Sequence, residues 1–527
     1  GGASMQDLTL STIDLLIVAG YFLLVFAIGF RMARLTHSAD DLFLAGRRLG
    51  WLPIGLSLFA SNISSTTMIG LAGAAYTWGI AVANYEWMAA PILVVFALFL
   101  VPLYLNARIG TVPEFLEYRY DRHVRRYFSL LTIVANIVVD TAGTLFAGAI
   151  VLTVFMPGLD LFSAALLLAA IAGLYTAAGG LAAVVYTDVL QAVILLVGSS
   201  VVTVLAFAQL DFSWASLVAQ TPPAHLSLML PLTDENLPWL GTLVGVPILG
   251  FYFWCTNQFI VQRVLGARSI ADARRGALFA GFLKLPVLFL MVLPGVMASV
   301  FLPGLDQADQ VFPALIGTLL PAGLAGLVLA ALVAALMSSI DSTLNSAATL
   351  VTLDFVKPLW PQLTSRQTLW IGRAAIVVFM VLSALVAPAI GGFEGLFHYL
   401  QTALAFLVPP VVVIFLFGLF WPRAGARAAL ATLLGGHAVS MACFVGTLSG
   451  WLDLHFTLIA GLIFAVSSVI FWLTGRVTAP PTSQQVARFT YRPEILARTV
   501  PGPWWKDYRA QAVVLLLLTL WLVVAFW

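Results

Sequence analysis

Charged residues are scarce in this sequence of 527 residues, where Asp, Glu, Lys and Arg together make up only 9%. Soluble domains carry roughly a quarter of such residues, whereas here hydrophobic residues reach 61%. A chain with so little polar surface cannot cover itself in water, so lipid must solvate much of it. The formal net charge of +2 is too small to indicate a nucleic-acid partner.

Cysteine is rarer still, and the motifs of catalytic chemistry are missing. Cys255 and Cys443 both lie in apolar runs, and they fit neither a disulfide framework nor a metal site. The sequence contains no nucleophile elbow, phosphate-binding loop or His/Asp/Glu spacing for a metal. These absences argue against an enzyme and an organic cofactor, and the lack of a filter-like repeat argues against a channel.

Long apolar runs are what the sequence has in abundance. A helix needs about 20 apolar residues to cross a bilayer. The sequence predicts fourteen such helices, at 12–33, 52–80, 83–107, 126–156, 159–178, 182–208, 238–264, 274–303, 322–355, 369–389, 394–421, 425–447, 453–475 and 509–527. Residues 1–5 are interpreted as an expression scar, and no cleavable signal peptide is predicted.

Apart from Lys284, which falls inside a predicted helix, arginine and lysine occur in alternate loops only. Basic residues fall in the loops and loop edges at 31–48, 108–126, 263–275, 357–373, 423–427 and 476–509, with Arg263 counted among them. The intervening loops hold none, although 209–237 is long. Because positive loops stay on the cytoplasmic side, we expect both termini outside the cell.

Five ionisable residues fall inside predicted helices: Glu86, Asp140, Asp188, Lys284 and Asp341. Such residues cost several kcal/mol in a membrane and are functional candidates by default. Lys284 lies about 15–18 Å beyond the cytoplasmic start of its helix, which is near the midplane. We expect it to line a substrate cavity with Glu86; the alternative is a structural ion pair.

Two helices carry interruptions at a distance of about half the chain. The run Ser61–Thr67 is rich in hydroxyl side chains, which compete for backbone hydrogen bonds, and 245–250 contains Pro247 between two glycines. Unwound backbone in a membrane must line a cavity or bind an ion. Paired interruptions are typical of transporters built from inverted repeats, although ordinary kinks would look the same.

A hydroxyl cluster occupies 335–342, where Ala335, Ser338 and Ser342 share a helix face beside Asp341. Hydroxyls with one carboxylate and no basic neighbour suit a small hard cation. The alternative is that these small residues only allow close helix packing.

At these residues the chain resembles the sodium/solute symporter family, in particular its sodium/glucose branch. The matching segments run in order over about residues 10–475 and comprise 57–63, 85–87, 110–116, 179–188, 254–258 and 345–347. The resemblance implies an all-α membrane protein with an inverted five-helix repeat (LeuT-like) core, one extra N-terminal helix and three extra C-terminal helices. The implied divisions are 6–50 for the first helix and loop, 51–210 and 238–421 for the repeats, 211–237 for an extracellular loop, and 422–527 for the last helices.

The resemblance also implies a sodium site between the first and eighth core helices. The backbone carbonyls of Ala60, Ile63 and Ala335 and the hydroxyls of Ser338 and Ser339 would hold the ion. Asp188 matches a family aspartate near the sodium exit or a second sodium site. Asp341 stands where the sugar carriers have threonine or alanine, and it would either join Asp188 at a second site or carry a proton.

A sugar pocket is partly retained. Glu86, Lys284 and Gln401 match family residues that bind sugar hydroxyls, and Asn62 matches one that binds the sugar or the inner gate. Leu71, Tyr85 and Phe397 match an outer gate. Three positions depart from the pattern. Phe253 replaces the inner-gate tyrosine that stacks on the sugar, Gly250 replaces an asparagine or threonine, and Thr67 replaces a glutamine or histidine. Lost hydroxyl partners shift substrate choice.

The sequence therefore predicts a sodium-coupled symporter that imports a sugar or polyol across the plasma (inner) membrane by alternating access. Sodium, the solute and the lipid bilayer are the expected partners, and the transport unit is expected to be a monomer. The alternatives are a sodium symporter for a carboxylate or amino acid, and a proton-coupled sugar carrier that uses Asp188 or Asp341.

Overall fold

A computed structural model describes residues 11–63, 65–155, 158–305, 311–388, 401, 404–497 and 501–527. The described chain is helical, and its only extended pairings are two isolated bridges. The longer helices are α1 (Thr12–Arg34), α2 (Trp51–Asn62), α3 (Ser65–Trp78), α4 (Ile80–Asn106), α5 (Arg122–Phe146), α6 (Leu161–Ala208), α7 (Trp239–Thr256), α8 (Gln258–Leu265), α9 (Ile270–Lys284), α10 (Leu288–Phe301), α11 (Leu324–Leu359), α12 (Ser365–Val386), α13 (Pro409–Phe420), α14 (Ala426–Ser449), α15 (Phe456–Val477) and α16 (Tyr508–Ala525).

Ten of the described helices are long and apolar enough to cross a membrane, or eleven when the bent pair α9 and α10 counts as one span. This establishes a multi-pass membrane protein, while the count of fourteen stays a prediction. Three of the fourteen predicted spans are not among these eleven. They correspond to α2 with α3, to α13, and to one half of α6. With 48 residues α6 would be about 72 Å long if straight, more than twice a hydrocarbon core.

Gly180 divides α6 at the boundary that the sequence predicts between two spans. Its φ of 61° and ψ of −144° are not helical. A Cβ at this position would lie 2.1 Å from the carbonyl oxygen of Leu42, so the backbone of the short helix Ala39–Leu44 passes directly over the glycine. Both the left-handed φ and the close approach require glycine here.

Two of the described apolar helical segments are interrupted by an extended residue, one where the sequence predicts it and one elsewhere. Ile63 is extended between α2 and α3, within the predicted interruption. The interruption expected at 245–250 is wrong, because those residues are helical and the break lies at Asn257, which is extended between α7 and α8. Gly245 instead allows close packing, since its missing Cβ would lie 2.4 Å from the carbonyl oxygen of Thr457 on α15.

Five wide, π-helical segments occur among the described helices. They are Phe96–Leu100, Ala135–Thr141, Tyr252–Thr256, Leu288–Val292 and Val351–Val356. Such segments are frequent at functional sites. One of them leads directly into the break at Asn257, and another begins four residues after Lys284.

The centre of the bundle is formed by α2, α6 and α11, which pack against one another, and α1 packs on the outer side of α6 and α11. Next to them, α9 packs along α2 and α4, while α16 covers α9 and α4 from the lipid side. Asn62 on α2, Asp188 on α6, and Ser338 and Asp341 on α11 therefore lie on the helices that meet at the centre.

Candidate functional site

Lys284 is the last residue of α9 and lies where the helix bends by 40° into α10. Its side chain is fully buried. The ammonium group donates short hydrogen bonds to a carboxylate oxygen of Glu86 and to Oδ1 of Asn62. The two predicted residues Glu86 and Lys284 are thus an ion pair, and Asn62 at the end of α2 joins it.

Aromatic rings surround this charged group. The Lys284 Nζ lies 5.6 Å from the ring centre of Phe59 and 5.7 Å from that of Trp254, distances at which a ring attracts a cation. Phe253 lies next to Trp254 and packs edge-on against Phe259, with ring centres 5.5 Å apart. The arrangement places an ammonium donor, a carboxylate acceptor and an amide in contact with one another within an apolar wall.

The end of α2 lies directly against the hydroxyl cluster of α11. The Ser339 hydroxyl donates to the carbonyl oxygen of Ser61 at 3.4 Å. Ser338 Oγ is buried and makes no hydrogen bond among the described residues. Ala60, Ile63 and Ala335 are buried at the same junction. A buried hydroxyl beside backbone carbonyls at the end of a broken helix is the kind of oxygen site that a small hard cation fills.

Asp188 is not an unpaired carboxylate, because a buried arginine contacts it. Arg263 Nη2 lies 3.2 Å from Asp188 Oδ2, and both side chains are 1% exposed or less. The guanidinium also donates to the hydroxyl of Ser57 at 2.7 Å and to that of Ser342. Ser57 and Ser61 donate to the same Asp188 oxygen at 2.6 and 3.2 Å.

Two expectations are therefore wrong. Arg263 belongs to α8 rather than to a cytoplasmic loop, and the hydroxyl cluster at 335–342 does have a basic neighbour. The positive charge follows Gln258 and Gln262, which are also fully buried and hydrogen-bonded. Polar residues repeated at four-residue spacing in an apolar segment were the available signal that this stretch enters the protein.

Asp341 is bonded to a different partner from Asp188. Its Oδ2 accepts a short hydrogen bond from the hydroxyl of Tyr175, which lies on the first half of α6. The second carboxylate oxygen of each aspartate, Oδ1, is buried without a hydrogen bond among the described residues. If both aspartates are ionised, the cluster with Arg263 carries one net negative charge, which a monovalent cation or a proton would balance.

The remaining predicted residues are placed less completely. Leu71 is buried on α3, and Tyr85 is partly buried against Phe456. Thr67 lies on α3 and Gln401 is partly exposed. Phe397 lies outside the described residues. Asp140, partly buried within the wide segment of α5, makes no ion pair with the described residues.

Comparison with known proteins agrees with this architecture. The model of the sodium:solute symporter family matches residues 42–436. The sodium/glucose cotransporter of Vibrio parahaemolyticus is 35% identical, over 80% of this chain and 83% of its own. The sodium/mannose cotransporter of Bos taurus is 36% identical, over 82% of this chain and 78% of its own. The sodium/myo-inositol cotransporter 2 of Sus scrofa is 32% identical, over 94% and 82%.

Two solved structures share the fold. A Na⁺-coupled sialic acid symporter in a substrate-bound outward-open state has a TM-score of 0.79 at 24% identity, covering 90% of this chain and 99% of its own. A nucleobase-cation-symport-1 family transporter has a TM-score of 0.59 at 14% identity, covering 85% and 97%. The matched family model spans most of the described helices, including both interruptions, and the chain belongs to the sodium:solute symporter family.

Proposed function

We propose that this protein is a sodium-coupled symporter that imports a sugar or sugar-like polyol by alternating access. The observation that carries the proposal is the buried group of Lys284, Glu86 and Asn62. It lies at the bend between α9 and α10 and at the broken end of α2. Relatives that transport glucose, mannose and myo-inositol support the choice of solute.

The chemistry of this group suits a neutral polyhydroxylated solute. Lys284 supplies donors, Glu86 supplies acceptors, and the pair carries no net charge. A neutral ligand whose hydroxyl groups both donate and accept hydrogen bonds would be matched. Gln401 and Thr67 are assigned further polar contacts. Phe253 would stack on the ring without offering a hydroxyl, with Leu71, Tyr85 and Phe397 assigned to the outer gate.

Sodium is assigned to the junction of α2 and α11. Carbonyls of Ala60, Ile63 and Ala335 and hydroxyls of Ser338 and Ser339 would hold it, and the unpartnered Ser338 hydroxyl supports this choice. Asp188 is assigned to the exit path. A second cation, or a proton, would use the unpartnered oxygens of Asp188 and Asp341, so the number of ions per solute depends on this cluster.

Coupling follows from the position of Asn62. This residue binds Lys284 on one side and directly precedes Ile63, an assigned sodium ligand, on the other. Sodium that fixes the broken end of α2 therefore fixes Asn62 and lowers the cost of organising the solute site. Because coupling is reciprocal, the solute must raise sodium affinity by the same factor. The membrane potential adds about 2.3 kcal/mol per charge per 100 mV.

The wider architecture is proposed on the same grounds. Residues 51–210 and 238–421 are assigned to two inverted repeats, each with a helix that is broken in the middle. Alternation of basic loops supports both termini outside and a location in the plasma membrane. A monomer is the proposed transport unit, and the carrier names of the relatives argue against an enzyme.

The test is uptake into proteoliposomes of a panel of labelled hexoses and inositols under an inward sodium, potassium or proton gradient. We expect uptake of one solute with sodium only. Lys284→Ala should abolish it, while Lys357→Ala, which changes an exposed lysine, should not. Ser338→Ala with Ser339→Ala should raise the half-saturating sodium concentration at least tenfold.

Ser440→Ala is the control for the serine changes, because Ser440 is buried but bonded only to its own helix. No uptake of any sugar or polyol under any gradient would refute the solute assignment. Sodium-driven uptake of a carboxylate or amino acid would replace it with the second candidate. Uptake that follows a proton gradient would move the coupling ion to Asp188 or Asp341.

A further inference from the structure

The backbone immediately after Lys284 lacks the hydrogen bond that a regular helix would make. Pro286 has no amide hydrogen, and the N–H groups of Phe289 and Leu290 both bond to the carbonyl of Pro286, at 2.9 and 3.0 Å. In a regular helix the N–H of residue 289 would bond to the carbonyl of Leu285. The carbonyl of Leu285 is thus released at the bend that carries the lysine.

The indole of Trp87 takes up this carbonyl. Trp87 Nε1 donates to the Leu285 oxygen at 2.9 Å, and the tryptophan is only 2% exposed. A buried carbonyl without a donor costs about 1–3 kcal/mol, so this bond favours the bent form of the backbone. It fixes the residue that directly follows Lys284.

Two neighbouring residues of α4 therefore hold two neighbouring residues of the bend. Glu86 binds the side chain of Lys284, and Trp87 binds the main chain of Leu285. With its main chain fixed, the lysine reaches both the carboxylate and Asn62 without a search over backbone positions. A site held in one geometry loses less entropy when its ligand binds.

The opposite side of the indole is closed by the end of α16. Phe526 packs edge-on against Trp87, with ring centres 6.0 Å apart. The main-chain carbonyl of Phe526 accepts from the N–H of Leu228 at 2.8 Å, and the carbonyl of Leu228 accepts from the side chain of Asn84 at 2.7 Å. These contacts keep the tryptophan away from lipid and from water, either of which would weaken its hydrogen bond to the Leu285 carbonyl.

We propose that Trp87 is a positioning residue, whose N–H bond to the freed Leu285 carbonyl sets the place of Lys284 in the solute site. The expected effect of Trp87 on transport rests on the proposed function. Its expected effect on the position of Lys284 does not. The side chain is not assigned a contact with the solute. Its contribution is made through the main chain beside Lys284.

The experiment separates the N–H group from the bulk of the ring. Trp87→Phe removes the donor and part of the ring, and benzothienylalanine at position 87 keeps the shape and removes only the N–H. The matched control is Tyr120→Phe, which deletes another buried aromatic donor to a helix carbonyl, that of Ile414, on the far side of the bundle. Each protein is purified, its Tm is measured, and it is reconstituted.

The first readout does not depend on transport. A small amine-reactive acetylating reagent labels Lys284, with the exposed Lys357 and Lys506 as internal references in the same sample. We expect labelling of Lys284 to become at least tenfold faster in both Trp87 variants and to stay unchanged in Tyr120→Phe. Lys284 that is labelled at the original rate in the benzothienylalanine variant would overturn the proposal.

The second readout is sodium-driven uptake of the solute that the wild-type protein transports. We expect KM to rise about tenfold, with kcat per folded transporter within twofold of wild type, because the lysine is misplaced rather than lost. A lower Tm with unchanged KM and unchanged labelling would show that Trp87 is only a packing residue. If wild-type protein transports no sugar or polyol, the function fails and the labelling result still decides the role of Trp87.

Discussion

The buried pair of Arg263 and Asp188 gives the sharpest quantitative prediction. Arg263→Met removes the guanidinium while keeping most of the side-chain volume, and Asp188→Asn removes the carboxylate charge. Either change leaves the other charge buried, since both side chains are 1% exposed or less. The double variant contains neither charge.

The size of the effect follows from what remains around each charge. Without Arg263, Asp188 keeps hydroxyl donors from Ser57 and Ser61. Without Asp188, the guanidinium keeps Ser57 and Ser342 as acceptors. Removing one partner of a buried pair costs about 3–5 kcal/mol, and these residual bonds place each single variant near the lower end, about 3 kcal/mol.

The double variant should lose far less free energy of unfolding than the two single variants lose together. We expect a coupling energy of about 2–3 kcal/mol, which corresponds to roughly 30- to 150-fold in the unfolding equilibrium. The assay is unfolding of purified protein in mixed micelles with increasing dodecyl sulfate, followed by circular dichroism, in potassium buffer without sodium. Sodium is omitted because a bound cation would stabilise the folded state by mass action.

The control is the cycle between Arg268 and Asp272, which lie 2.9 Å apart with the arginine 63% exposed. Water and salt screen such a pair, so no measurable coupling is expected there. Equal coupling energies for the two pairs would refute the reasoning, since burial would then make no difference. Strictly additive losses at Arg263 and Asp188 would refute it as well.

Further predictions concern packing and helix ends. Gly245→Ala should lower the Tm of the purified protein markedly, because its Cβ would lie 2.4 Å from the Thr457 oxygen, whereas the Cβ of Gly250→Ala would meet nothing closer than 3.5 Å and the Tm should hardly change. Asp14→Ala should cost about 1–2 kcal/mol in the same dodecyl sulfate unfolding assay, because the carboxylate accepts from two amides at the start of α11. Arg119→Lys should lower the Tm, because a lysine cannot bind at once the carbonyls of Gly418, in α13, and Ala424, beyond it, both of which accept from the buried guanidinium; an unchanged Tm would contradict this.

Composition and hydrophobic runs were sufficient to predict a membrane-spanning helical protein, because lipid demands long apolar helices and leaves few alternatives. Charge inside apolar runs was sufficient to single out Glu86 and Lys284 as candidates, and the structure places them in contact. The hydroxyl-rich run at Ser61 was a correct indication of the first break, since these side chains compete with the backbone for hydrogen bonds.

The second break and the role of Arg263 were not predictable in the same way. Pro247 and its glycines looked like a break, but a proline inside a membrane helix is tolerated when neighbours satisfy the backbone, and Gly245 serves packing on α15. Arg263 lies close in sequence to basic residues that do lie in a loop, so the charge pattern alone predicted a loop position for it. Only the packing of α8 against α2 and α11 brings it into the protein.

The five wide helical segments have a consequence for how this chain can change length. Each wide turn holds about one residue more than a regular turn would, so it can accommodate an inserted residue within the helix. An extra residue in a regular helix would rotate everything beyond it by about 100° and turn buried faces towards lipid. A wide turn confines that mismatch, so the faces on either side keep their partners, and helices of this kind can lengthen by single residues in evolution without rebuilding the bundle around them.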